Sequence, residues 1–376
     1  MINCLPLRLP ALCVVLGVTG LCVCSGDEPD PGRDRLIVES LLRIKDVDIT
    51  GNEKLQAAIL RHAAIIRGQE NYFLLAERFR LPALDNSLFE LATSEPSNTT
   101  GVRAASVLAK NGQLSRFLSG LVGDDADIAQ GAASVLGHLD DPAIVPALSA
   151  LLPDKKHSRP LRTTATYSLG RTINGQRALL AVVVSKQLPD DLKVAAGQVL
   201  FGSADATIRK EVGKYLMLPA TADATPLPPL SVLLMRRGDV AKGLGVFNKV
   251  GTCAKCHRIR GVGKEVGPDL SEIGGKLSRE ALFVSILDPS AGISHSYETY
   301  NIILESGNVL SGILVSQTDD SITIRTLEAI DKSIAKGEID EMVKSGVSMM
   351  PADLQKVMTA SDLVDVIEFL LTLKKQ

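Results

Sequence analysis

Four short segments rich in Ala and Leu recur along the first half of the chain: AASVLAKNG (104–112), AASVLGHL (132–139), TYSLGRT (166–172) and AAGQVLFGS (195–203). Aligned on Leu108, Leu136, Leu169 and Leu200, they stand 28, 33 and 31 residues apart. A helical unit of roughly 30 residues cannot bury its own apolar face, so units recurring at this spacing must stack on one another. The expected result is an α-solenoid over residues 36–216, with an irregular helical domain as the other arrangement the pattern allows. Only 3% of residues are aromatic and none is Trp, which suits stacked helices better than a β-sandwich.

Within this region Asp140-Asp141-Pro142 is followed by IVPALSALL (144–152), and these segments resemble HEAT-type repeats. The stretch LPATADATPLPPL (218–230) then carries Pro219, Pro226, Pro228 and Pro229. Such proline density implies a stiff, non-helical linker, taken as residues 217–237. From Gly238 the pattern changes. GDVAKGLGVFNKV (238–250) and LSREALFVSILDP (277–289) read as helices, and TYNIILESGNVLSGILVS (299–316) with SITIRTL (321–327) as three β-rich runs. SDLVDVIEFLLTLKK (361–375) is a further helix, with Asp near its start and Lys at its end, both favourable to the helix dipole.

Residues 1–26 have one basic residue, Arg8, then an apolar run from Leu9 to Val23 and a small-residue exit. This is the layout of a signal peptide cleaved after Ser25 or Gly26, which implies an exported, periplasmic protein. An uncleaved anchor or a lipid on Cys24 is the alternative, and membrane association is expected only in those cases. Cys4, Cys13, Cys22 and Cys24 all lie in this segment, so the exported chain keeps only Cys253 and Cys256. A single close pair is no disulfide framework; it has a local role. The net charge of −2 gives no reason to expect nucleic acid as a partner.

That pair belongs to Cys253-Ala-Lys-Cys256-His257. Three chemistries fit the motif. Two thiols at this spacing can form thioethers to the vinyl groups of a haem, placing His257 under the iron. Zinc would need two more ligands, and His62, His138, His157 and His295 are not paired at ligand spacing. A dithiol redox pair calls for a preceding strand and a helix opening at the first cysteine, whereas here a helix precedes and a Gly-rich loop follows. A haem iron usually takes a sixth ligand, often Met. SMMPADL (348–354) offers Met349 and Met350 in a polar loop, and Met350, directly before Pro351, is favoured. Met342 and Met358 read as core filler. His257 also needs an acceptor for its other ring N–H, a role open to the backbone carbonyl of Pro268.

GLGVFNKVGTCAKCHRIRGVGKEVGPDL, followed by Asp288-Pro289-Ser290, a β-rich insertion, Ser348-Met349-Met350-Pro351 and a last helix, resembles a class I cytochrome c domain. More narrowly it is similar to the haem-binding cytochrome domain abundant in Planctomycetes and Verrucomicrobia. The resemblance covers about residues 239–374. It implies one covalently attached haem c, with Cys253 and Cys256 as thioether residues, His257 as proximal ligand and Met350 as distal ligand. It further implies that Gly243 and Phe247 mark a crossing of the first and last helices, with Phe369 as partner, and that Leu270 of the Gly267–Leu270 loop packs in the haem pocket. His257 and Met350 are 93 residues apart, farther than a minimal domain of this class needs, and the β insertion at about 297–340 accounts for the excess.

Together these readings describe a mainly α protein. A HEAT-like solenoid precedes a cytochrome c helical domain (238–376) with a small antiparallel β insertion. The expected function is single-electron transfer to or from an unidentified redox protein, such as a periplasmic dehydrogenase, with the repeats as a docking domain. The rival readings are a scaffold protein whose haem is structural or sensory, and a haem enzyme from whose iron Met350 is absent. Residues 236–264 carry eight basic residues and one acid, against nine basic and eighteen acidic in 265–376. This contrast is either ordinary solvated surface or a basic rim that steers an acidic partner.

Overall fold

Leu108, Leu136, Leu169 and Leu200 each fall in a separate helix and are all essentially fully buried. The computed structural model describes residues 30–375; the expected signal peptide lies outside the described residues. The chain divides into two units, Met1–Ile65 and Ile66–Gln376.

In the first unit, α1 (Pro31–Arg43) packs against α2 (Glu53–Ile65). Asp30 caps α1 by accepting from the Gly32 amide, and Pro31 opens the helix, where its missing N–H costs nothing. The buried Asp34 accepts from Arg61 Nε at 2.6 Å and Nη2 at 2.7 Å, a bidentate pair joining the two helices.

The second unit begins with α3 (Glu70–Phe79), α4 (Pro82–Ser94), α5 (Thr99–Lys110), α6 (Leu114–Gly120), α7 (Ala126–Leu136) and α8 (Ile144–Leu151). It continues through α9 (Arg159–Leu169), α10 (Ile173–Val184), α11 (Lys193–Phe201) and α12 (Ala206–Val212). The helices form two rows. α5, α7, α9 and α11 pack each on the next, and α8, α10 and α12 do the same beside them. Small residues make this spacing possible: Ala104, Ala105, Ala132, Ala133, Ala165, Ala195 and Ala196 are buried between helices. Asn98, Asp125, Ser158, Thr172 and Asp205 cap α5, α7, α9, α10 and α12 with their side chains, so each short helix starts on a satisfied turn.

One ion pair within this array gives a pH test. The buried Arg162 of α9 grips Asp191, just before α11, with Nη2–Oδ2 at 2.6 Å and Nη1–Oδ1 at 3.2 Å. Burial pushes the Asp191 carboxyl up, but the Arg162 hydrogen bond and charge outweigh it and hold the group below its ordinary value of 3.8. A depressed folded pKa means that the stabilisation is present above that value and is lost as acid protonates the folded carboxylate. Stability measured by denaturant from pH 6 downward is therefore expected to fall below about pH 4. Asp191→Ala should cost about 2 kcal/mol at neutral pH and flatten that fall. An unchanged acid limb in the variant would assign the fall to other carboxylates.

The expected linker at 217–237 is not a linker in the folded chain. Residues 219–227 form a tight turn, with an Ala220–Pro226 bridge and the Leu227 amide bonded to Pro219 O at 2.8 Å. Leu230–Met235 is helical (α13), with Pro229 at its N-terminal boundary. Leu227, Leu230 and Leu233 are buried in one cluster with Tyr167 and Ala195 of the helical array and Phe247, Phe283 and Ile367 beyond it. Proline removes amide donors but does not stop interleaved leucines from seeking a core, and here that core spans both halves.

The remainder starts with α14 (Val240–Gly245), which continues as a π-helical turn over Val246–Val250. A two-stranded hairpin, β1 (Arg258–Ile259) and β2 (Val262–Gly263), precedes α15 (Ile273–Lys276) and α16 (Arg279–Leu287). Next come β3 (Thr299–Leu304), β4 (Val309–Gln317), β5 (Ser321–Arg325), β6 (Asp331–Ala335) and β7 (Ile339–Lys344), before α17 (Ala360–Leu371). The larger sheet is antiparallel throughout, in the order β6-β5-β4-β3-β7. Its small core is Ile302, Ile322, Ile324 and Ile334. Three strands were expected and five form. β6 and β7 are largely charged edge strands that turn few apolar residues inward, so their alternation is thin in the sequence. The described chain is thus mainly helical with a small antiparallel sheet. None of its described helices is long and apolar enough to cross a membrane.

Candidate cofactor cleft

The segment carrying the two cysteines is held by its own backbone. The Gly251 amide closes the π-helical turn on Val246 O at 2.8 Å, and Cys253–Lys255 forms a single 3-10 turn. The Cys256 and His257 amides both donate to Cys253 O. Cys256 O accepts in turn from the amides of Val266 and Gly267, at 3.0 and 2.8 Å, which folds the Gly-rich loop back under the motif.

That return places Pro268 O 2.8 Å from His257 Nδ1. A carbonyl only accepts, so Nδ1 carries the proton and Nε2 is left with a free lone pair. Burial lowers the imidazole pKa, with the Pro268 hydrogen bond opposing, so the ring is neutral at pH 7. Gly267 makes the approach possible: a Cβ there would lie 2.5 Å from His257 Cε1. The ring therefore lies directly on backbone, fixed in orientation from one side.

Both cysteines are free thiols. Burial pushes Cys253 up to about 11, and burial also raises Cys256, against the pull of Lys264 and Lys255. A dithiol exchange centre depends on a depressed thiol pKa, commonly at a helix N-terminus, and neither condition is met here. Among the described residues, no group of three or more His, Cys, Asp or Glu side chains stands together as a metal donor set. Zinc bound by the motif thus has no second pair of ligands among the described residues.

Cys253, Cys256 and His257 instead line a cleft of about 370 Å³. Pro268 and Leu270 line it too, as do Leu282 and Ile286 of α16, Leu370 of α17 and Leu277 in the connection before α16. Met349 and Met350 both reach it from the loop before α17. Met350 also packs against the large buried cluster. Its amide donates to Ser348 Oγ at 3.1 Å, so the loop is ordered by its own serine. An apolar cleft bearing two thiols, one neutral imidazole and thioethers fits a haem: its ring asks for apolar walls and its iron for nitrogen and sulfur donors.

Gly243, Phe247 and Phe369 belong to the support of this cleft. A Cβ on Gly243 would lie 2.0 Å from Asp365 O, so α14 and α17 cross in backbone contact there. The Phe247 and Phe369 rings meet at that crossing with centroids 5.7 Å apart and planes tilted by 59°. Sequence reasoning missed the contributions of Tyr297, Ile313 and Leu327, which bring the β insertion to the cleft wall. Ile313 is one of several apolar residues of β4 and carries no signal of its own in the sequence. Of the basic residues in 236–264, Lys255 lines the cleft, whereas Arg258 is neutralised by Glu265 and Asp269.

No protein-family model and no curated protein matches the chain.

Proposed function

We infer that the protein is an exported mono-haem c-type cytochrome, in which a HEAT-like solenoid is joined to a class I cytochrome c domain with a β insertion. The observation that carries this reading is the convergence of Cys253, Cys256, His257 and the Met349–Met350 pair on one apolar cleft. Covalently bound haem would supply one-electron exchange between ferric and ferrous iron. The chain's own residues do the rest. Cys253 and Cys256 anchor the group. His257, oriented by Pro268 O, would offer Nε2 to the iron, and Met350 would offer its thioether. Leu270, Leu282, Ile286, Ile313 and Leu370 line the cleft and would keep water from the bound group, which would favour the less charged reduced state. An iron held by both His257 and Met350 would leave no place for a substrate, and the partner would then be another redox protein, for which a periplasmic dehydrogenase is the model.

The test is the absorption spectrum of protein matured with a c-haem assembly system. A sharp c-type α-band on reduction and the weak Met-to-iron band on oxidation are expected. Met350→Ala should abolish the latter while Met349→Ala retains it. A high-spin spectrum that responds to peroxide would overturn the electron-transfer reading in favour of a haem enzyme.

A further inference from the structure

The helical array does more than lie beside the cleft. Arg159, in the first turn of α9, places Nη2 2.9 Å from Oδ1 of Asp288, a carboxylate only 3% exposed. Arg159 also donates to Asp191 O at 3.3 Å, so its guanidinium is held from both sides. Asp288 begins the loop after α16, two residues before Ser290, and its ion pair with Arg159 is the contact that holds its buried carboxylate. Ser290 Oγ accepts the Ser348 amide at 3.1 Å, and Ser348 Oγ accepts the Met350 amide at 3.1 Å. Two further contacts reach the same region: Gln130 Nε2 of α7 donates to Ala291 O at 3.1 Å, and Arg171 pairs with Glu280 of α16. Pro289, Gly292 and Ser348 themselves line the cleft.

We propose that Arg159 is a positioning residue: through Asp288, Ser290 and Ser348 it ties the helical array to the methionine-bearing loop and sets where Met350 stands in the cleft. Only the last step, that Met350 is placed for an iron, rests on the haem reading. The physical case is the burial of the pair. A carboxylate this deeply buried depends on its cation, and Arg159 is the one paired with Asp288, so removing the guanidinium alone would leave a buried charge uncompensated. Asp288 therefore locks the 288–294 loop to α9, and the serines transmit that lock by directional hydrogen bonds rather than by packing alone. In this arrangement the repeats are part of the site's construction, and a shift of α9 is felt at Met350.

The test uses the full chain as purified after maturation. Arg159→Leu combined with Asp288→Asn removes the pair without leaving a buried charge alone. Amide hydrogen exchange at Ser348 and Met350, the two donors of the relay, should quicken about tenfold while α17 and the β3–β5 core keep their protection. Arg159→Lys should recover part of that protection. Ser290→Ala, which leaves the ion pair intact, should give the same local loss and serves if the double variant does not fold. In haem-loaded protein, the same changes should weaken the Met-to-iron band and let external imidazole bind the ferric iron about tenfold faster, with covalent attachment unchanged. Unchanged exchange at Ser348 and Met350, or a uniform rise across the whole chain, would overturn the relay. Absence of covalent haem in the unaltered chain would instead remove the haem reading, and the exchange measurement would still decide whether Arg159 orders the loop.

Discussion

Cys253→Ala and Cys256→Ala are each expected to cut covalently attached haem by roughly tenfold, and the double variant to abolish it. The measurement is haem-dependent colour on the denatured chain, where only a covalent bond keeps pigment with protein. Thiol accounting supplies the complement. In unmatured chain both thiols are free, so they should alkylate after denaturation, whereas matured chain should show neither. Before denaturation Cys253 should react slowly, because burial pushes it up to about 11 and leaves little thiolate at neutral pH. His257→Ala should retain the thioethers but lose the low-spin spectrum, since the imidazole held by Pro268 is gone. Full covalent haem in the double variant, or no covalent haem in the unaltered chain, would end the c-type reading.

The second large effect concerns stability. Gly243→Val should destabilise the protein by about 3 kcal/mol, with Gly243→Ala somewhat less costly, read as a fall in denaturant midpoint. A Cβ at this position meets Asp365 O at 2.0 Å and Phe369 Cβ at 2.8 Å. Neither neighbour yields easily. The Asp365 carboxylate accepts the Asp239 amide at 2.7 Å, and Phe369 is buried against Phe247. The variant must therefore separate α14 from α17. Leu370 of α17 lines the cleft, so haem retention should weaken as well. A midpoint shift equivalent to less than about 0.5 kcal/mol would mean that the crossing is looser than the structure has it.

Particular residues separate what is legible in a one-dimensional pattern from what is not. Leu108, Leu136, Leu169 and Leu200 are legible because each is the buried anchor of its own helix, and that demand recurs every 28 to 33 residues. Cys253, Cys256 and His257 are legible because their chemistry acts within five residues. Pro268 is legible because a loop of eleven residues must return its carbonyl to the ring. The misread linker shows the converse. Its prolines mark a break in helix, but whether the break also divides two cores depends on where Leu227, Leu230 and Leu233 find cover. That cover includes Tyr167 and Ile367, far away on both sides in the chain. Strands β6 and β7 were illegible for a related reason, since an edge strand needs few inward residues and Ile334 is the buried one in β6.

The sequence by itself determined the local chemistry and the local periods: the thiol and imidazole spacing, the two candidate methionines and the helical units of the first half. These depend on covalent spacing and on 3.6-residue geometry, which are properties of neighbouring residues. Only the tertiary structure decided that Met349 and Met350 share a cleft with His257 across 93 residues. It alone brought Ile313 of the sheet to that cleft and Arg159 of the array to Asp288. Contacts of this kind are set by which apolar faces and buried charges find partners when the chain closes on itself, a condition no single segment carries.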